Sequence, residues 1–154
     1  MMKLKALLFV LLVAFASIAA DCNVSYSTAK IADATLTKQV NENKEAVGSA
    51  SSFEATVPVI HCVVKLANAP EDTKLLARWS VVNVAGEQPN KKIVESNIDS
   101  VGKNNILDFT FKPTSGGLPP GDYKVDVFLN PKEGDQPTKT LPFTIKEAAG
   151  ASGQ

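Results

Sequence analysis

Leu118–Leu129, LPPGDYKVDVFL, is the stretch that decides the fold. Pro119 and Pro120 bar a helix, and Gly121 lets the backbone turn sharply. Tyr123, Val125, Val127 and Leu129 then alternate with Lys124, Asp126 and Phe128. That period of two, with one face wholly apolar, is the pattern of a β-strand packed on a core.

The same period recurs on both sides of this stretch. Towards the C-terminus, the charged loop Asn130–Pro137 leads to Lys139–Lys146, where Leu141, Phe143 and Ile145 share a face. Towards the N-terminus, Ile106–Lys112 places Leu107, Phe109 and Phe111 inward, after a turn at Val101–Asn105. Ile93–Ile98 reads as a short strand, and Gly86–Lys92 as its connection. Leu75–Asn83 turns Leu75, Ala77, Trp79 and Val81 to one side, so Trp79 enters the core. Val59–Leu66 turns Ile60, Cys62, Val64 and Leu66 one way, and Val59, His61, Val63 and Lys65 the other. Ala67–Thr73 is a turn by its Asn, Pro and Asp content. Phe53–Val57 is a short strand ended by Pro58. Lys30–Thr37 is the first strand, and Gln39–Ser52 is a polar loop with a helical turn expected around Asn43–Val47. About seven strands separated by turn signals, with no long amphipathic helix, predict an all-β antiparallel sandwich spanning 30–146.

The ends do not belong to that sandwich. Met1–Ala20 carries Lys3 and Lys5, an apolar run and then small residues, which is the build of a cleaved secretory signal peptide. Cleavage fits after Ala19 or after Ala20. The apolar run is short for a membrane span. Asp21 precedes Cys22 where a bacterial lipobox needs a small uncharged residue, so a lipid anchor at Cys22 is disfavoured. Residues 21–29 form a polar N-terminal segment, and residues 147–154 read as a disordered Gly/Ala/Ser tail.

Removing Lys3 and Lys5 from 16 basic residues leaves 14 against 16 acidic ones, a net charge of about −2. No basic excess points to nucleic acid or to an anionic membrane. Both Met residues lie in the leader, so the mature chain has one His and no Met, which argues against a Met/His copper carrier. Cys22 and Cys62 are the two cysteines. In an oxidising compartment a disulfide between them is expected, worth about 4 kcal/mol in the chain-entropy picture. The alternative is a buried free thiol at Cys62.

The entry Leu118-x-x-Gly121-x-Tyr123 resembles the tyrosine corner of immunoglobulin-like sandwiches. The order Cys62, Trp79, Tyr123 also resembles that of antibody domains, except that Val125 stands where their second cysteine follows the tyrosine. The run Ile60–Leu66, the Asn68-Ala69-Pro70 turn, Trp79 and the ending Leu118–Ile145 resemble a group of small bacterial exported domains built as immunoglobulin-like β-sandwiches. The similarity runs from about Lys30 to Lys146. The resemblance implies the fold, with Trp79 and Tyr123 as core landmarks, and implies no catalytic residue.

The residues that carry chemistry are sparse. His61 has no second His for a metal and no nucleophile placed by a motif, so it reads as a half-exposed strand residue. Ser49, Ser51 and Ser52 lack a nucleophile elbow. Gly116, Gly117 and Gly121 precede no helix and make no phosphate cradle. Asp99 with Ser100, and Glu133 with Asp135, lack the spacing of a calcium loop. Asp33, Asp108, Asp122 and Asp126 read as solvated charges. A hydrolase needs two convergent groups and has little to draw on. The reading is therefore a non-enzymatic extracytoplasmic binding module with no cofactor or metal, whose partner is another envelope or extracellular protein. A protein inhibitor or an envelope-assembly accessory differs only in that partner. Sandwiches recognise partners through end loops or an edge strand. The candidate loops are Gln39–Ser52, Gly86–Lys92 and Asn130–Pro137.

Overall fold

Eight strands make up the computed structural model, which describes residues 29–99 and 105–148; residues 1–28, with the expected signal peptide Met1–Ala20 and Cys22, residues 100–104 and residues 149–154 lie outside them. The strands are β1 (Lys30–Thr37), β2 (Ser52–Glu54), β3 (Ile60–Ala67), β4 (Lys74–Val84), β5 (Lys92–Asp99), β6 (Ile106–Phe111), β7 (Gly121–Leu129) and β8 (Lys139–Lys146). They form a three-stranded sheet in the order β1-β3-β6 and a five-stranded sheet in the order β2-β8-β7-β4-β5. Every pairing is antiparallel except β2 with β8. The described residues contain no helix.

β7 lies between β4 and β8, with Tyr123 opposite Val81 and Phe143, and Val125 opposite Trp79 and Leu141. Its central position explains its near-continuous apolar inner face. Trp79 is 1% exposed and packs on Phe111 of the other sheet at 5.1 Å between centroids. Phe143 meets Trp79 edge-on at 5.9 Å and stacks on Tyr123 at 5.4 Å. Phe53 meets Phe143 edge-on at 5.8 Å, which gives the three-residue β2 its anchor. Such ring pairs add about 0.5–1.5 kcal/mol each beyond area burial.

The corner before β7 is locked by backbone contacts. The Tyr123 hydroxyl donates to the carbonyl of Pro119 at 2.7 Å. Gly121 has φ +149°, and a Cβ there would press on the Asn83 carbonyl and Val84. Gly117 has φ +75°, and a Cβ there would overlap the carbonyl oxygen of Ala55. Only glycine fits both positions. The neighbouring Leu118 N–H bonds that same carbonyl, tying the corner to the end of β2.

Three departures from the sequence reading have local causes. First, Phe53–Val57 shrinks to Ser52–Glu54. A turn closed by Val57 N–H on the Glu54 carbonyl ends β2 before Pro58. Second, no helical turn forms at Asn43–Val47. The Asn41 side chain accepts from the N–H groups of Asn43 and Glu45, and Lys44 takes φ +62°. This side-chain competition closes a small hairpin with a bridge between Val40 and Ala46.

Third, three outward positions are buried. Val63 is 1% exposed on the outer face of β3. The hairpin is fastened over that face at both ends, where the Thr37 hydroxyl donates to the carbonyls of Gln39 and Val47 and Glu45 reaches Lys65 at 3.9 Å. Phe128 lies on the outer face of β7 under the Arg78 guanidinium, 4.9 Å from the ring centre. Asp126 is buried beside it, accepting from the Thr140 hydroxyl at 2.6 Å and pairing with Lys124 at 2.9 Å, so it is not a solvated charge.

Cys62 is buried, and it is not bonded to any described residue. It and Val125, on facing sheets, are both 0% exposed and belong to one core cluster. Burial pushes its pKa up to about 12, with the Asp108 charge adding to the effect. The expected partner, Cys22, lies outside the described residues.

Candidate functional site

The His61 and Asp108 side chains meet on the outer face of the three-stranded sheet, Nδ1 to Oδ2 at 2.8 Å. β3 and β6 bring them together, since His61 stands opposite Thr110 and Val63 opposite Asp108. The Thr110 hydroxyl lies 3.4 Å from the same carboxylate oxygen, while Asp108 Oδ1 is buried without a partner. This His–carboxylate pair, 47 residues apart in the chain, is a group of acid–base residues that sequence reasoning missed. Thr37, beside His61 on β1, has its hydroxyl committed to two carbonyls. The hydroxyl nearest the pair is that of Thr110, opposite His61 in the register. Among the described residues no cluster of three or more His, Cys, Asp or Glu is placed to hold a metal ion.

Each candidate loop is internally tied. Gln39–Ser52 contains the hairpin, and its Ala50 N–H bonds the Leu36 carbonyl along the free side of β1. Gly86–Lys92 is braced by Lys91 on Glu87 at 2.6 Å. It borders a cleft of about 310 Å³ with Val81, Ile93, Pro119 and Tyr123 in its wall. Lys91 there is paired with Glu87, Lys92 lies 3.9 Å from Glu95, and the phenol hydroxyl is committed to Pro119. Asn130–Pro137 closes on itself through Lys132 N–H to the Asp135 carboxylate at 2.8 Å. Trp79 lies inside the sandwich, whereas Tyr123, also buried, reaches the wall of that cleft.

The edges of the sheets differ in what they offer. β2 is three residues long, and β1 is bulged between Ile31 and Asp33 and partly covered by the Ala50 segment. The inward side chains of β6, Leu107, Phe109 and Phe111, are already buried, so another strand there would cover no further apolar surface. β5 is different. No other described strand pairs with its far side, and Val94 and Ile98 are only partly buried against the core. Its single bulge lies at the Lys92 end, opposite Trp79 and Ser80. From Val94 to Asp99 the ladder is regular and contains neither Pro nor Lys, the usual devices that blunt an edge.

The direction of the β5 backbone follows from its neighbour. Asn130 N–H bonds the Lys74 carbonyl, so Lys74 faces β7. By alternation Leu75, Ala77 and Trp79 face β5 and bond Ile98, Ser96 and Val94. Glu95, Asn97 and Asp99 then aim their N–H and C=O groups away from the sheet. On the outer face Glu95 is held by Arg78 at 2.7 Å, with Lys92 3.9 Å away.

Among the described residues no helix is long and apolar enough to cross a membrane. No protein-family model matches the chain, and no curated protein matches its sequence. Among solved structures, an immunoglobulin-like protein from Pseudomonas aeruginosa superposes with a TM-score of 0.55. The match covers 79% of this chain and 99% of that one, at 12% identity. A likeness of that kind carries the architecture, and with the two sheets, the tyrosine corner and the buried indole it makes this chain an immunoglobulin-like β-sandwich.

Proposed function

We propose that this chain is exported and works outside the cytoplasm as a non-enzymatic binding module, taking its partner by strand addition at the free edge of β5. The observation that carries the reading is the regular, unblunted run Val94–Asp99, with outward backbone groups at Glu95, Asn97 and Asp99. Strand addition supplies affinity through main-chain hydrogen bonds, and alternate side chains supply selectivity. The leader-like Met1–Ala20 supports export.

The test is site-specific photo-crosslinking in the native envelope, with the probe at Asn97 and, separately, at Lys132 in the β7–β8 loop. A discrete adduct from Asn97 alone is expected. Adducts from Lys132 alone would move the binding surface to the loops, and adducts from neither position would remove the reading.

A further inference from the structure

We propose that the partner at the β5 edge is a second copy of this chain, joined by antiparallel pairing of β5 with β5 about a two-fold axis at Ser96. The inference rests on the reading of β5 as the binding edge and adds the identity of what binds there.

The register follows from parity and charge. Added strands pair outward-facing residues with outward-facing residues, so Glu95 can stand opposite the partner's Glu95, Asn97 or Asp99. The first choice sets carboxylate against carboxylate at the axis, and the third does so on both sides of it. Like charges directly opposite are destabilising. The middle choice, centred on Ser96, sets Glu95 against the partner's Asn97 twice, a carboxylate facing an amide that donates to it. The same register sets Val94 against the partner's Ile98 twice and Ser96 against itself. Both apolar residues are partly exposed in the single chain, and here each covers the other. In the neighbouring registers Val94 or Ile98 meets Ser96 instead. The segment V-E-S-N-I is thus complementary to itself about one residue, and the closed two-fold contact uses up the edge on both copies.

A strand pair of this length buries less than a standard stable interface, so the dimer is weak, with a Kd of about 100 µM to 1 mM. Sedimentation equilibrium of the mature chain, from about 10 µM to about 1 mM, reads it directly. Two exposed-site variants test the register. Asn97→Glu restores the carboxylate clash and is expected to weaken association about tenfold, whereas Asn97→Lys sets an ammonium opposite Glu95 and is expected to preserve or tighten it. Equal effects of the two variants, or no effect of either, would overturn the register. A monomer at about 1 mM whose Asn97 probe still crosslinks to a different protein would overturn self-pairing and leave the edge reading standing. A monomer with no Asn97 adduct would remove both.

Discussion

The hydroxyl of Tyr123 donates to the carbonyl of Pro119, four residues upstream, at 2.7 Å. It closes the corner at which the chain leaves the three-stranded sheet and enters the middle of the five-stranded one. Tyr123→Phe keeps the ring stacked on Phe143 and removes this bond alone. The expected loss is about 1–2 kcal/mol in urea unfolding, with an unchanged m-value. An unaltered midpoint would show that the bond contributes nothing.

Gly117 combines φ +75° with a backbone neighbour that leaves no room for a Cβ. Gly117→Ala must move the corner away from the end of β2, with an expected cost of more than about 2 kcal/mol. Gly116→Ala, at φ +117° with no atom within 4 Å of its Cβ position, carries backbone strain without the overlap and should cost less. Thermal unfolding of the pair checks the order, and equal costs would contradict it.

Asp126 is buried on the outer face of β7, and its shortest contact is with the Thr140 hydroxyl. Thr140→Val removes that donor without changing side-chain volume much, at an expected cost of about 1–3 kcal/mol. Thr140→Ser keeps the donor and should recover most of the loss. Matching losses in the two variants would locate the effect in the methyl group instead.

Cys62 binds its proton more tightly in the folded chain, with a pKa of about 12 against an ordinary 9.0. Between those values the unfolded chain has lost a proton that the folded chain keeps, so unfolding is favoured as pH rises. The thiol's contribution is complete below about pH 9 and falls by up to about 1.4 kcal/mol per unit above it. Tyr123, raised by burial and by Glu87, acts in the same direction. Under reducing conditions the native chain should lose more stability between pH 8 and pH 11 than Cys62→Val does. Parallel profiles would contradict the assignment to Cys62.

The strands were legible in the sequence because each buries one face, and alternation survives wherever the other face meets water. Leu107, Phe109 and Phe111, or Leu141, Phe143 and Ile145, state their side without help from neighbours. Alternation fails where the outer face is also covered. Val63 lies beneath a hairpin whose polar sequence gives no sign of packing, and Phe128 lies under an arginine from another strand. The His61–Asp108 pair depends on the register of β3 with β6, and the free edge of β5 depends on sheet order. Both are non-local facts that no single stretch contains. The depth of Cys62 in the core is likewise a property of the assembled sandwich.

The account of function depends on the outward backbone of β5, and amide hydrogen exchange of the dilute single chain measures it most directly. Val94, Ser96 and Ile98, bonded to β4, are expected to exchange slowly, and Glu95 and Asn97 rapidly, an alternation along one strand. Protection of Glu95 and Asn97 equal to that of their neighbours in the dilute monomer would mean that the edge is already occupied, and would contradict strand addition as the mode of binding.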